Sequence, residues 1–458
     1  MANSLKDARA LSLRALIFWE KDKPPLDALL THLLTQNPLS DKRDRALVGE
    51  LVNGVVRHLL YLDFLIERFS KVPLHKLDPE VKNALRLGIY QLLFTKIPER
   101  AVLAETLKLL LKRRRASWIR GFVNAILHRI AEKKANLPEP PRAHPLYYMS
   151  IKYSFPEWLI IKWFKRFGLE ELERLLQASN SKPPLVIRVN PLRVSRENFL
   201  KYLQEEVLPS AEPCKYSPYG IVLKEFRGEI AELKGFELGW FSVQDSASQL
   251  AGFLLDPKPG ELILDACAGV GGKTSHIAEL TNNQAEIVAF DLYESRLKKL
   301  KENFRRLGLR EPKVFKGDVV EGLKRLKIRS FDKILLDAPC SGTGIIRRHP
   351  DIKWVRRKKD FRENFKKQLH LLSGLAPYLK KGGKLLYATC SLEPEENEEV
   401  IETFLEKNPE FSLHSPLPIL KKLCAERGET LIEGTFFKSY PHRHGLDGFF
   451  SAILIRDA

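Results

Sequence analysis

Along the first third of the chain, apolar residues return every three or four positions, as in Leu47, Leu51 and Val55 and again in Leu85, Ile89 and Leu92. That period puts them on one face of an α-helix. Prolines 24, 73 and 98 interrupt the pattern, and Ser4 offers a side-chain cap for the first helix. The spacing predicts an all-α bundle over residues 1–135, closed by the proline-rich run Asn136-Leu137-Pro138-Glu139-Pro140-Pro141. Over 145–248 the period shifts. A helix is predicted around Trp158 to Phe167, a strand at Leu185 to Val189, a helix near Glu197 to Leu203, and short strands at Gly220 to Leu223 and Phe241 to Val243, which together make a small α+β subdomain.

From 249 to 458 the chain becomes strand, loop and helix repeated. Short apolar runs at Leu262 to Asp265, Glu286 to Asp291, Lys313 to Phe315, Lys333 to Asp337 and Lys384 to Ala388 are separated by stretches long enough for crossover helices. This is the pattern of a doubly wound, largely parallel α/β sheet of Rossmann type. Thr435 to Ser439 and Phe449 to Ile455 predict two closing strands, the last a candidate for antiparallel pairing.

Composition narrows the function classes. At 458 residues the chain is too long for one ordinary core, so several domains are expected. Lys and Arg number 76 against 57 Asp and Glu, a net charge of +19, which favours an anionic partner, most simply a nucleic acid. The five cysteines show no CxxC spacing, which argues against a secreted disulfide scaffold and a structural zinc site and fits a reducing cytoplasm. Met1 to Pro25 interleaves charges among its apolar residues and offers neither a signal-peptide core nor a spanning helix. In the bundle, Lys112, Arg113, Arg114, Arg115 and Arg120 surround Trp118, either as a solvated helix face or as an RNA backbone contact.

Candidate chemistry gathers at strand ends. After Asp265 comes Ala266-Cys267-Ala268-Gly269-Val270-Gly271-Gly272-Lys273-Thr274, then a helix to Leu280. Glycines let a ligand approach the backbone, and the helix N-terminus offers free N–H groups. A phosphate-binding P-loop needs a glycine five positions before Gly272, where Cys267 stands, so an ATPase is disfavoured. Asp291, Asp318 and Asp337 end or follow the next three strands. A carboxylate after the second strand can accept both ribose hydroxyls, and a ring of three repels polyphosphate but suits a sulfonium, namely S-adenosylmethionine.

Cys340, in Asp337-Ala338-Pro339-Cys340-Ser341-Gly342-Thr343-Gly344, and Cys390, in Tyr387-Ala388-Thr389-Cys390-Ser391, follow strands that a right-handed crossover makes neighbours. Both thiols should face one crevice. A thiolate adding to cytosine C6 makes C5 enamine-like and able to take a methyl group, and a second group then helps the adduct lose its C5 proton. Placement alone leaves open which thiol attacks. Arg347, Arg348, Lys353, Arg356, Arg357, Lys358, Lys359, Arg362, Lys366 and Lys367, interleaved with Trp354 and Phe361, suggest a channel for a single strand, because a duplex would hide the base edge.

Together these residues resemble the Sun family of RNA cytosine-5 methyltransferases, and within it the RsmB type that acts on 16S ribosomal RNA. Leu85-Arg86-Leu87-Gly88-Ile89-Tyr90-Gln91-Leu92 and Phe122-Val123-Asn124-Ala125-Ile126-Leu127 resemble a NusB-type RNA-binding domain. Arg188-Val189-Asn190-Pro191 and Val243-Gln244-Asp245-Ser246-Ala247-Ser248 resemble the segments that precede the family's catalytic domain, and Tyr440-Pro441-His442 and Asp447-Gly448-Phe449-Phe450 also fit. The resemblance implies that Cys267, Ala268, Gly269, Val270, Gly271, Gly272 and Lys273, with Asp291, Asp318 and Asp337, bind S-adenosylmethionine. It implies further that Cys390 is the nucleophile, that Cys340 helps release product, and that Asp337 also contacts the target base. Gly269 and Val270 stand where the family more often has Ala and Pro, which predicts a less rigid turn. The implied partner is 16S ribosomal RNA, at a single-stranded loop or in an assembling small subunit. Rivals are a methyltransferase acting on transfer RNA or 23S ribosomal RNA, and a non-catalytic antitermination factor. His442 and His444 are expected to be structural or RNA-facing, with no metal bound.

Overall fold

Asp7 caps the first helix, Ala8–Asp22, by accepting the Arg9 N–H at 3.0 Å. The computed structural model describes residues 7–110, 116–226, 228–326 and 330–457, so Ser4 and the run Lys112 to Arg115 lie outside the described residues. The chain forms two units, Met1–Ser181 with Ile346–Arg356, and Lys182–Ile345 with Arg357–Ala458.

The first unit is helical. At its centre runs Pro79–Phe94, started by Asp78 as cap with Pro79 in the first turn, and Leu85, Ile89 and Leu92 on it are buried as their spacing predicts. Arg86 on the same helix is also buried. It is held by a two-point bond to Asp63 at 2.6 and 2.7 Å and by Asn83 at 3.0 Å, so its charge is compensated.

This unit runs beyond residue 135. The proline-rich run does not end it, because Pro145–Tyr153 and Glu157–Asn180 belong to the same unit. The helix around Trp158 to Phe167 packs with this helical unit. The link is polar and specific: Tyr61 N–H donates to Ser154 Oγ at 3.0 Å, and Asn180 donates to the Tyr153 carbonyl at 2.6 Å.

The second unit holds two sheets. β1 (Leu185–Val189), β2 (Ala211–Pro213), β3 (Gly220–Leu223) and β4 (Phe241–Val243) form an antiparallel sheet in the order β2-β3-β1-β4. The larger sheet contains β5 (Leu262–Asp265), β6 (Glu286–Asp291), β7 (Lys313–Lys316), β8 (Phe331–Asp337), β9 (Leu379–Thr389), β10 (Phe411–His414), β11 (Ile432–Glu433), β12 (Phe436–Ser439) and β13 (Phe449–Arg456). Its order is β11-β12-β13-β9-β8-β5-β6-β7, with β10 paired to β13. The strands from β7 to β9 are parallel, and β13 runs antiparallel to β9.

Alternation along these strands supplies both faces of the sheet. Ile263, Ala289, Leu335 and Leu386 join one core, while Leu264, Val288, Phe290, Leu336 and Tyr387 join the other. The parallel register aligns the carboxyl ends: Asp265 lies opposite Leu335 and Ala289, and Asp337 opposite Ala388. Ligands of such sheets bind along that edge. Among the described residues, no helix is long and apolar enough to cross a membrane.

Candidate active site

The chain after Asp265 passes over the carboxyl edge and enters helix Gly272–Leu280. Gly271 precedes that helix with φ +86°, and a Cβ there would stand 2.7 Å from Leu300, so conformation and space both demand glycine. Gly269 also has positive φ, and its N–H donates to Asp291 at 3.0 Å. The second Asp291 oxygen accepts the Tyr293 N–H at 2.9 Å. Each carboxylate oxygen keeps a second lone pair, so the group can still accept from a ribose diol.

Lys273 and Thr274 do not behave as in a phosphate loop. Lys273 Nζ is paired with Asp337 at 2.6 Å and lies 5.1 Å above the Phe449 ring, and Thr274 donates to Asp265 at 2.7 Å. Asp265 is a fourth carboxylate at this edge, unassigned by sequence reasoning although it ends its strand as Asp291 and Asp337 end theirs. Burial pushes its pKa up to about 7, aided by the Asp337 charge and opposed by the Thr274 bond. Burial likewise pushes the Cys267 thiol up, and Asp265, Asp337, Asp291 and Asp318 all add to that shift. Four carboxylates thus surround one loop. Asp318 does double duty as the cap of helix Val319–Arg325, accepting the Glu321 N–H at 3.1 Å.

Arg188 on β1 supports this loop from behind. It is fully buried, binds Glu279 through both arms at 2.8 and 2.9 Å, and donates to Ser275 Oγ at 2.9 Å and the Gly272 carbonyl at 2.8 Å. It also bonds Gln244. The small sheet is therefore fastened to the first turn of the loop helix, and the expected separation at 248 is bridged by a buried ion pair. The arginine's position in Arg188-Val189-Asn190-Pro191 was the only signal available for it.

Cys340 and Cys390 come together, with sulfurs 3.3 Å apart. β8 and β9 are neighbours, and the Ala338 N–H still donates to the Ala388 carbonyl at 2.8 Å beyond the strand end. Gly344 N–H donates to the Cys390 carbonyl at 2.9 Å, and a Cβ on Gly344 would strike the Gly448 carbonyl at 2.1 Å, so the turn after Cys340 can close only on glycine. Gln368 supports the turn from helix Lys358–Leu375 by donating to the Pro339 carbonyl at 2.9 Å. The bond with Cys390, burial, and the nearby Cys390 and Glu396 charges together push the Cys340 thiol well above its usual value. The structure thus brings together Cys340, Cys390, Lys273 and Asp337, since Lys273 also feels the Cys390 sulfur.

The expected aromatic lining of a single-strand channel is not found. Trp354 donates its indole N–H to the Val56 carbonyl at 2.8 Å, and the buried Lys353 donates to the Arg57 carbonyl at 2.7 Å and to Asn180 at 3.1 Å, all within the helical unit. Asp351 accepts the Leu26 N–H at 3.1 Å, capping a helix whose own cap position is a proline. Phe361 is buried too. Basic side chains stay exposed on Lys358–Leu375, at Lys358, Lys366 and Lys367, whereas Arg362 pairs with Glu399 at 2.6 Å. In the first unit Trp118 is 64% exposed and stacked on Phe122. His444 uses both ring nitrogens on backbone, with Tyr440 N at 2.9 Å and Thr430 O at 2.9 Å, a structural role.

Comparison with known proteins covers nearly the whole chain. Residues 252–455 match the family model for 16S rRNA methyltransferase RsmB/F, residues 6–132 match the NusB family, and residues 155–228 match the ferredoxin-like domain of RsmF/B-like methyltransferases. Ribosomal RNA small subunit methyltransferase B of Yersinia pseudotuberculosis is 38% identical over 443 residues, 94% of each chain. The crystal structure of PH0851 aligns over 100% of both chains with a TM-score of 0.78 at 27% identity. The structure of NSun6 from Pyrococcus horikoshii with SFG aligns with 66% of this chain and 99% of its own, with a TM-score of 0.58 at 26% identity.

Proposed function

The chain belongs to the 16S rRNA methyltransferase RsmB/F family, and from that premise we propose that it methylates C5 of a cytosine in 16S ribosomal RNA through a covalent bond between Cys390 and C6. The observation that carries this reading is the 3.3 Å approach of two free thiols beside the Lys273–Asp337 pair. A methyltransferase acting on a more nucleophilic atom has no use for a pair of sulfurs at the cofactor edge.

S-adenosylmethionine, when bound, supplies an electrophilic methyl group. The residues suit it: Asp291 retains acceptor capacity for ribose hydroxyls, Gly269 and Gly271 leave the backbone accessible, and four carboxylates favour a sulfonium over a phosphate. Cys267, Ala268, Val270 and Gly272 complete the loop, Lys273 holds Asp337 in place, and Asp318 borders the site.

Cys390 Sγ adds to C6, forming the S–C6 bond and moving the C5=C6 electron pair onto C5. Asp337, held by Lys273, bonds the base in this reading. Cys340 keeps its proton at neutral pH, because its thiol is pushed well up, and its sulfur lies 3.3 Å from that of Cys390. Once C5 carries the methyl group, its proton leaves to solvent water. The C5=C6 bond then re-forms and expels the Cys390 thiolate, a departure that the Cys340 proton assists. A base enclosed in a duplex could not present C6 to Cys390, so the target lies in a single-stranded loop or is flipped out, in naked RNA or an assembling subunit. The work is cytoplasmic.

Bisulfite sequencing of ribosomal RNA from cells lacking this protein tests the substrate. One methylcytosine of 16S ribosomal RNA is expected to disappear and to return when the gene is restored. An unchanged 16S pattern, or loss confined to transfer RNA or 23S ribosomal RNA, contradicts it.

A further inference from the structure

Each cysteine of the pair is followed by a serine, and the methyl-transfer scheme leaves both serines without a task. Ser341 and Ser391 are buried, their hydroxyl oxygens 3.1 Å apart, and both donate to one carboxylate oxygen of Glu396, Oε2. The other oxygen, Oε1, accepts the Ser341 N–H at 2.7 Å and Asn364 Nδ2 at 2.6 Å. Glu396 is itself fully buried. A carboxylate offers about four lone-pair sites, and these four donors fill them, which is how the group tolerates removal from water.

We propose that Glu396 is a positioning residue that clasps the serine behind each cysteine and thereby sets the distance and direction between the Cys340 and Cys390 sulfurs. The inference rests on the two-cysteine reading above. Both serines are one peptide bond from their cysteine, on loops that leave adjacent strands, so any shift of one hydroxyl carries its sulfur with it. Glu396 is held in turn. Its carbonyl accepts Tyr387 Oη at 2.6 Å, and the neighbouring Asn397 bonds Thr389 Oγ1 at 2.6 Å and the Ser391 carbonyl at 2.9 Å. Thr343 adds a second tie, accepting the Leu392 N–H at 2.9 Å. One carboxylate thus ties together the turns after β8 and β9.

Two readouts test the clasp. The first is methyl transfer per active site, with sites counted by S-adenosylmethionine binding. The second is the rate at which diamide converts the two thiols to a disulfide, taking up the two electrons and two protons released as the S–S bond forms. Glu396→Asp withdraws the carboxylate from both serines by one methylene, and Ser391→Ala removes one of them. In each, kcat is expected to fall about a hundredfold with KM for RNA nearly unchanged, and disulfide formation to slow about tenfold. Glu396→Gln keeps the length and should recover part of both. A purely structural role would lower the melting temperature and the count of active sites but leave both rates per folded site unchanged, and that result overturns the proposal. Should Glu396→Asp fail to fold, Ser391→Ala and Glu396→Gln carry the same test. The diamide rate is independent of methyl transfer, so the clasp can fail while the covalent reading stands, and the reverse.

Discussion

Cys390→Ala is expected to reduce methyl transfer by a factor on the order of 10⁶, the scale on which a covalent nucleophile acts, while S-adenosylmethionine still binds. Cytosine C5 is a poor nucleophile until a thiolate has added at C6 and made C5 enamine-like, and no neighbouring side chain can replace that thiolate. Cys340 is only 3.3 Å away, yet its thiol is pushed well above the ordinary value, so it is a weak substitute at neutral pH. Lys273 of the cofactor loop feels the Cys390 charge and keeps its bond to Asp337 without it. Isothermal titration with the donor and a tritium-transfer assay measure the two halves. Transfer at the native rate would remove Cys390 from the mechanism, and loss of cofactor binding would assign it a structural part.

Arg188→Met should destabilise the second unit by about 3–5 kcal/mol, because it leaves the carboxylate of Glu279 buried without its partner. Burial already pushes the Glu279 carboxyl up, and Arg188, with a smaller contribution from Arg306, draws it back. The variant also strips donors from Ser275 and the Gly272 carbonyl, so the first turn of the loop helix loses its support. Hydrogen exchange in Gly272–Leu280 under increasing urea, in the full chain, reports the loss locally. Arg188→Met with Glu279→Leu removes both charges and should regain most of the stability, since an apolar pair in the same space costs little. Equal exchange in the single variant and the native chain would show that the ion pair adds nothing.

How much of this was legible in the chain follows from what each element depends on. β5, β6 and β8 show in the sequence as apolar runs closed by Asp265, Asp291 and Asp337, since burial on both faces and a carboxylate at the tip are local properties. β9 begins at Leu379, five residues before its apolar run, because Lys380-Lys381-Gly382-Gly383 reads as a turn. The meeting of Cys340 and Cys390 was readable because strand adjacency follows from crossover handedness. The Glu396 bonds were not, since a glutamate in Pro394-Glu395-Glu396-Asn397 looks like any solvated charge until the fold buries it. The basic run after Cys340 misled for the opposite reason. Lys353 and Trp354 have the composition of a nucleic-acid contact, but their partners are the Arg57 and Val56 carbonyls in a distant helix.

The covalent bond between Cys390 and the base is most directly seen by slowing its release. Cys340→Ala, incubated with S-adenosylmethionine and labelled 16S ribosomal RNA and run on a denaturing gel, is expected to give a protein–RNA band that survives denaturant, and Cys340→Ala with Cys390→Ala is expected to give none. A band that persists without Cys390, or no band in the single variant under turnover conditions, would contradict the account.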